Sequence, residues 1–389
     1  MPYYRQVGDI PPKRHTQFRQ PDGSLYAEEL MGEEGFNFDS ALLYHINPPT
    51  ALKTIEAVDT EEQESTTNHP LRPRHFRTHQ LKTGGDPISA RHLLLLNDDV
   101  RLSYFVGNDD SPLYKNGVGD ELVFIEKGSG VVETVFGRLP FTEGDYVIIP
   151  ASTVHRWVLD ESDEPVRALF MEASGGHVGP PRRYLSRNGQ LLEHSPYCER
   201  DLKGPVEPLL EEGENVEVLV KSRGGMTKFV YTNHPFDVVG WDGCLYPYTF
   251  SIRDFEPITG RVHQPPPVHQ TFEWPNVVVC SFVPRLYDYH PDAIPAPYNH
   301  SNVDSDEVLF YVDGNFMSRQ GSGIERGSIS LHPGGHTHGP QPGSVEASIG
   351  ATSTEEYAVM VDTFRPLDLG PGARNCEDDK YAWTWLEGR

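Results

Sequence analysis

Two well-separated stretches of this chain carry one pattern. The first is "ELVFIEKG" (121–128) followed by "GDYVIIPASTVH" (144–155); the second is "EVLFYVDG" (307–314) followed by "GSISLHPGGHTH" (327–338). In each, a glutamate stands seven residues before a glycine, a second glycine stands six before a proline, and a histidine follows five residues later. Such a repeat implies one structural unit, used twice. The surrounding runs have strand length. They include "RHLLLL" (91–96), "LSYFV" (102–106), "GVVETVFGRLPF" (130–141, with a turn at "FGR"), "HRWVL" (155–159) and "ALFMEA" (168–173) in the first half. "FDVVGWDG" (236–243), "LYPYTFSI" (245–252), "NVVVCSFVPR" (276–285), "VEASIGA" (345–351) and "EYAVMVDTF" (356–364) follow in the second. Short apolar runs punctuated at close intervals predict β-sandwiches or barrels rather than helices. The expectation is therefore all-β, with two β-barrel domains.

Composition agrees with many short strands and turns: the 36 glycines and 34 prolines are spread along the chain rather than pooled in a tail. Lengthwise the reading is an N-terminal segment plus barrel over 1–180, a connection over 181–235 and a second barrel over 236–389. Helix is expected only at "LYAEELMG" (25–32) and around "NVEVLVKSR" (215–223). A formal charge of −24 would repel nucleic acid and anionic membranes, so neither is expected as a partner. Four scattered cysteines with no CxxC pair argue against a disulfide framework or a cysteine zinc site. No apolar run has the length of a signal peptide core or a bilayer span, which makes a soluble, cytoplasmic protein the expectation.

The repeated pattern resembles the two signature motifs of the cupin superfamily, G-x5-H-x-H-x3,4-E-x6-G and G-x5-P-x-G-x2-H. That resemblance implies jelly-roll-like barrels. The downstream copy has the second motif complete in Gly327, Pro333, Gly335 and His338; counting back from Glu307 puts Asn302 and His300 at the two histidine positions. The ligand set offered is His300, Glu307 and His338. Two imidazoles and one carboxylate leave coordination positions open, as in non-haem Fe(II) oxygenases, although such donors also hold zinc. "DSDE" (304–307) lacks the glycine and terminal glutamate of a calcium loop. In the upstream copy Glu121 and His155 remain, but Tyr114 and Asn116 replace the histidines, so that barrel is expected to be structural and without metal.

Beyond the cupin motifs, the chain resembles the homogentisate 1,2-dioxygenase family along nearly its whole length. "LYAEELMG", "ALLYHINPPT", "FDVVGWDGCLYPYTFSIRDFEP", "PYNHSNVDSDE" and "SLHPGGHTHGP" carry the likeness. It implies Fe(II), O2 and a para-dihydroxylated ring with an acetate side chain, cleaved to maleylacetoacetate in tyrosine and phenylalanine catabolism. It also implies a homo-oligomer, trimers pairing into hexamers. His263 in "GRVHQPPPVHQ" matches the family's catalytic histidine, with His269 as the alternative base. His338, His332, Phe316 and Tyr298 would face substrate, His332 also orienting a ligand by hydrogen bonding. Animal-type members have an arginine before the strand-ending glycine and a tyrosine two residues after it; here Asp313 and Phe316 stand there. Neither grips a carboxylate as those do, which leaves Arg319 or Arg253 to supply positive charge. Competing readings are a dioxygenase for another hydroquinone such as gentisate, a zinc or manganese bicupin isomerase, and a non-enzymatic binding bicupin.

Overall fold

The computed structural model describes residues 3–60, 64–260 and 266–386. The architecture is all-β, as expected: the described helices are Ser344–Ser348, Pro371–Arg374 and single turns of 3-10 helix. None of them is long and apolar enough to cross a membrane. Cys198, Cys244, Cys280 and Cys376 are free thiols.

Two compact units are interleaved in sequence. One comprises residues 1–62, 83–91 and 105–251; the other comprises 63–82, 92–104 and 252–389. This differs from the expected linear succession 1–180, 181–235 and 236–389. Nothing local marks the exchange, because long-range strand pairing decides it. Arg74–Arg77, for example, pairs with Ser328–His332.

The upstream-copy unit contains a seven-stranded sheet ordered Gly137–Phe141, Gly130–Thr134, His155–Leu159, Tyr114–Asn116, Glu214–Ser222, Gly225–Asn233 and Leu52–Val58. Tyr248–Ser251, Asp145–Ile149, Glu121–Lys127 and Val166–Ala173 pair in that order as a second layer. Alternating side chains from the two layers form one core: Val123, Ile125, Val147 and Ile149 meet Val132, Leu139, Phe141 and Trp157. A four-stranded sheet, Arg5–Gly8, Val238–Gly243, Ser40–His45 and Ala27–Gly32, adds Val7, Leu43 and Trp241 to a second cluster.

Three segments depart from the sequence expectation. "LYAEELMG" is rich in helix formers, yet Ala27–Gly32 is a strand paired with Ser40–His45; tertiary pairing overrides a weak local preference. Glu214–Ser222 is also a strand, because "SRGG" closes a two-residue turn that pairs Ser222 with Gly225. "VEASIGA" was expected as a strand, but Ser344–Ser348 is helical: Ala and Glu favour that state, and the run is too short for alternation to decide.

The downstream-copy unit is built on a six-stranded sheet ordered Gln270–Trp274, Val277–Phe282, Tyr357–Thr363, Asp306–Asp313, Ser328–His332 and Arg74–Arg77. Val308, Phe310, Ile329, Leu331, Val359 and Val361 are buried in its central strands. Two two-residue ladders accompany it, one of which pairs His300–Ser301 with Thr337–His338.

The repeated glycines have a backbone reason. Gly128 and Gly314 end the two glutamate strands at φ +94° and +93°, and Gly144 and Gly327 open the next strands at +89° and +80°. Side chains rarely tolerate that left-handed region, so the pattern keeps glycine at both turns. At Gly314 a Cβ would also meet the Glu355 carbonyl oxygen at 2.3 Å.

Candidate metal centre

Strand register lays out the site. In the six-stranded sheet Glu307 lies opposite His332 on one side and opposite Asp362 on the other. Opposed residues of an antiparallel sheet present side chains to the same face, so the three form a row. On the small ladder His300 lies directly opposite His338. Glu307 and His300 therefore come from different ladders, joined by the bend at 302–305, rather than from one hairpin.

The side chains of the two ladders converge. His300 Nε2 is 3.4 Å from Glu307 Oε2, and His338 Nε2 is 3.3 Å from Glu307 Oε1. The His300 and His338 rings stand edge to face with centroids 4.2 Å apart. One donor atom each from His300, Glu307 and His338 lies within 4.8 Å of the other two.

The ring orientations are those of ligands. His300 Nδ1 faces the Tyr298 carbonyl at 3.3 Å, and His338 Nδ1 faces the His336 carbonyl at the same distance. A carbonyl only accepts, so each Nδ1 carries a proton and donates, while His300 Nε2 makes a long hydrogen bond to the Glu307 carboxylate. His338 Nε2 is buried and has no hydrogen-bond partner. An orphaned imidazole lone pair beside a buried carboxylate suits a divalent cation, and the donor set of two nitrogens and one oxygen fits iron, zinc or manganese.

His332 does something else. Its Nδ1 donates to Glu307 Oε1 at 2.9 Å, and its Nε2 is 3.0 Å from the Tyr381 hydroxyl. Burial, with the Arg319 charge nearby, lowers the His332 imidazole to about 3. The ring is therefore neutral: it donates to the carboxylate and accepts from Tyr381. It also stacks on His338, centroids 4.3 Å apart and 21° from parallel. Burial opposes the charge on Glu307, but hydrogen bonding from His300 and His332, with His338 beside it, holds the carboxyl well below the usual range.

Three further groups surround this core, and Arg319 alone had been considered from the sequence. Asp362 is half-buried, with its Oδ1 shielded from solvent and without a partner; desolvation and then the Glu307 charge push its carboxyl up to about 8. Arg319 is buried, its Nε donating to the Tyr311 hydroxyl at 3.0 Å and its Nη1 to the Gly339 carbonyl at 2.7 Å. Tyr381 is fully buried. Tyr381 is distant in sequence from every motif, so only the tertiary fold could reveal it; Asp362 could have been found by asking which strand pairs with Glu307.

Comparison with known proteins now bears on this geometry. Residues 5–252 match the family model described as the homogentisate 1,2-dioxygenase N-terminal domain. The chain belongs to the homogentisate 1,2-dioxygenase family. A Saccharolobus solfataricus protein bearing a provisional dioxygenase name is 40 % identical over 99 % of both chains. Homogentisate 1,2-dioxygenase of Emericella nidulans is 26 % identical, covering 94 % of this chain and 83 % of its own. The Caenorhabditis elegans homogentisate 1,2-dioxygenase is 24 % identical, covering 86 % and 80 %.

Other residues anticipated from homogentisate 1,2-dioxygenase family likeness fall differently. His263 lies outside the described residues. His269 is buried against Phe282, ring centroids 4.5 Å apart, and burial lowers its imidazole to about 3. A ring that holds a proton so weakly is a poor general base at neutral pH. Phe316 is half-buried with its ring 5.0 Å from that of Tyr311. Tyr298 is exposed, its ring 6.5 Å from His300. Arg319 spends two donors on internal acceptors, and Arg253 is exposed.

Proposed function

We propose that the protein is an Fe(II)-dependent ring-cleaving dioxygenase that opens homogentisate with O2 to maleylacetoacetate. The observation that carries this reading is the convergence of His300 Nε2, His338 Nε2 and a Glu307 oxygen, both imidazole protons being fixed on backbone carbonyls. Fe(II) held there would supply adjacent open positions for a substrate hydroxyl and O2.

The chain's own residues supply the rest. His332, itself held by the Tyr381 hydroxyl, donates to Glu307 Oε1 and fixes the carboxylate's orientation. Arg319 ties Tyr311 to the Gly339 carbonyl next to His338, holding the short ladder against the sheet. His263 takes the phenolic proton, a role assigned on its place in "GRVHQ". Phe316 and Tyr298 border the substrate. The working form is a trimer or hexamer in the cytoplasm.

Asp313 and Phe316 favour a second reading, in which the ring carries a different substituent, as in gentisate. Asp313 is exposed at the end of the ligand strand, and the positive charge of Arg319 is committed internally. The test is anaerobic reconstitution with Fe(II) followed by O2 uptake on homogentisate, gentisate and hydroquinone. Homogentisate should be consumed fastest. Preference for gentisate selects the second reading, and no uptake with any dihydroxylated aromatic removes both.

A further inference from the structure

The upstream-copy unit holds a second group of metal-type donors that the repeat does not mark. Glu33 follows the strand Ala27–Gly32, Asp120 precedes Glu121–Lys127, and His177 lies in the loop after Val166–Ala173. One ligand atom from each lies within 4.8 Å of the other two. His177 Nδ1 is 3.3 Å from Glu33 Oε1 and 3.5 Å from Asp120 Oδ1, at ion-pair distance from both but without a well-directed hydrogen bond to either. The three donor atoms are thus close enough together to share one cation.

Asp120 is held rigidly for such a role. Its Oδ1 accepts from the Ala151 N–H and its Oδ2 from the Val178 N–H, each at 2.8 Å. A carboxylate oxygen has two lone pairs, so both keep one to offer.

Tyr248 gives an independent pointer. Tyr248 lies opposite Ile148, which lies opposite Leu122, two residues beyond Asp120. Side chains of opposed residues, and of residues two apart on a strand, share a face, so Tyr248 and Asp120 point to the same side of the sheet. Tyr248 is 2 % exposed and its hydroxyl has no hydrogen-bond partner. Burial, and then the charges of Asp120, Asp39 and Glu33, push the phenol up, in keeping with that shared face. A buried hydroxyl beside carboxylates and bonded to none of them is costly unless it serves something held in their midst.

We propose that Glu33, Asp120 and His177 form a second divalent-cation site, with the Tyr248 hydroxyl on its inner side, separate from the His300–Glu307–His338 centre. Two carboxylates and one imidazole make a harder donor set than two imidazoles and one carboxylate, and suit Mn(II) better than a thiophilic ion. The cation would tie three segments of one unit together, so the role is structural. It does not depend on the proposed reaction.

The test uses Mn(II) as the probe on the full-length chain carrying His338→Ala, which removes the other centre, after chelation. Electron paramagnetic resonance counts free and bound Mn(II). One equivalent should bind and raise the thermal midpoint. Glu33→Gln and His177→Gln, each added to that background, should weaken binding by about 10²-fold or more, and Tyr248→Phe by about tenfold. Circular dichroism of each apo variant checks folding, and Tyr248→Phe deletes a single oxygen and so serves if either of the others fails to fold. Absence of bound Mn(II) in the His338→Ala chain, or binding indifferent to these changes, overturns the site.

Discussion

Two buried glutamates hold the same place in the repeated pattern and are neutralised in different ways. Glu121 is gripped by Arg91, whose Nη1 and Nη2 reach its two oxygens at 2.7 and 3.1 Å. The guanidinium in turn lies over the Phe170 ring, 3.9 Å from its centroid. The Asn116 amide and the Tyr114 hydroxyl complete the shell at 3.1 and 3.4 Å. Glu307 instead meets three imidazoles. The histidines that close the two motifs match in detail: His155 Nδ1 faces the Thr153 carbonyl as His338 Nδ1 faces that of His336, and both Nε2 atoms lack a partner. One difference decides the outcome. A buried carboxylate needs compensation: one unit supplies it in the Arg91 guanidinium, while the other surrounds Glu307 with imidazoles, the arrangement from which the metal centre is proposed. Arg91 lies outside both motifs, so the pattern alone could not show which group faces Glu121.

The comparison can be broken at several points. The largest effect is expected from His338→Ala, which should remove one equivalent of Fe(II) and lower O2 uptake by roughly 10³-fold or more. Iron analysis with an oxygen electrode checks it, and unchanged iron would mean the triad is misassigned. Arg91→Met should cost about 3–5 kcal/mol of stability by stranding Glu121, read by chemical denaturation. Iron binding at the other unit should be unaffected, and adding Glu121→Gln should restore much of the loss. If Arg91→Met were harmless, the guanidinium would not be the substitute cation. His332→Phe should weaken metal binding by about 10- to 100-fold, and Tyr381→Phe by less, since Tyr381 acts only through His332; competitive chelation measures both.

Acid offers a graded comparison. His269 ionises near 6.5 unfolded but near 3 when buried. Below pH 6.5 the unfolded chain binds the extra proton, so its stability contribution falls as pH drops towards 3, by up to about 1.4 kcal/mol per unit. Glu121 moves from 4.5 to about 2, because the Arg91 charge and hydrogen bonds overcome burial. Its contribution is complete above 4.5 and is lost only as pH falls towards 2. His269→Gln should therefore lessen the slope of the stability profile between pH 6.5 and 4.5, to which His332 also contributes, whereas Glu121→Gln leaves the slope unchanged. Unfolding midpoints measured across that range separate the two.

Much of the site was legible because it is written locally. His300, Glu307, His332 and His338 stand at spacings set by strand and turn geometry, and the glycines between them mark positive φ that other residues resist. His263 falls outside the described residues, so the base is still argued from its motif. His269, the alternative, was legible as a histidine in the right segment but not as a buried one, since burial comes from Phe282 on the neighbouring strand.

An all-β chain, a repeated strand–turn pattern and the copy that keeps metal-type donors were all written into short segments, because side-chain period and turn residues are local properties. Only the tertiary structure decided that Ala27–Gly32 and Glu214–Ser222 are strands, that the two units interleave, and that Arg91, Tyr381 and Asp362 stand beside the buried glutamates. These depend on pairing between residues far apart in the chain. Burial and cross-strand contact choose such pairings, and no window of sequence contains both partners.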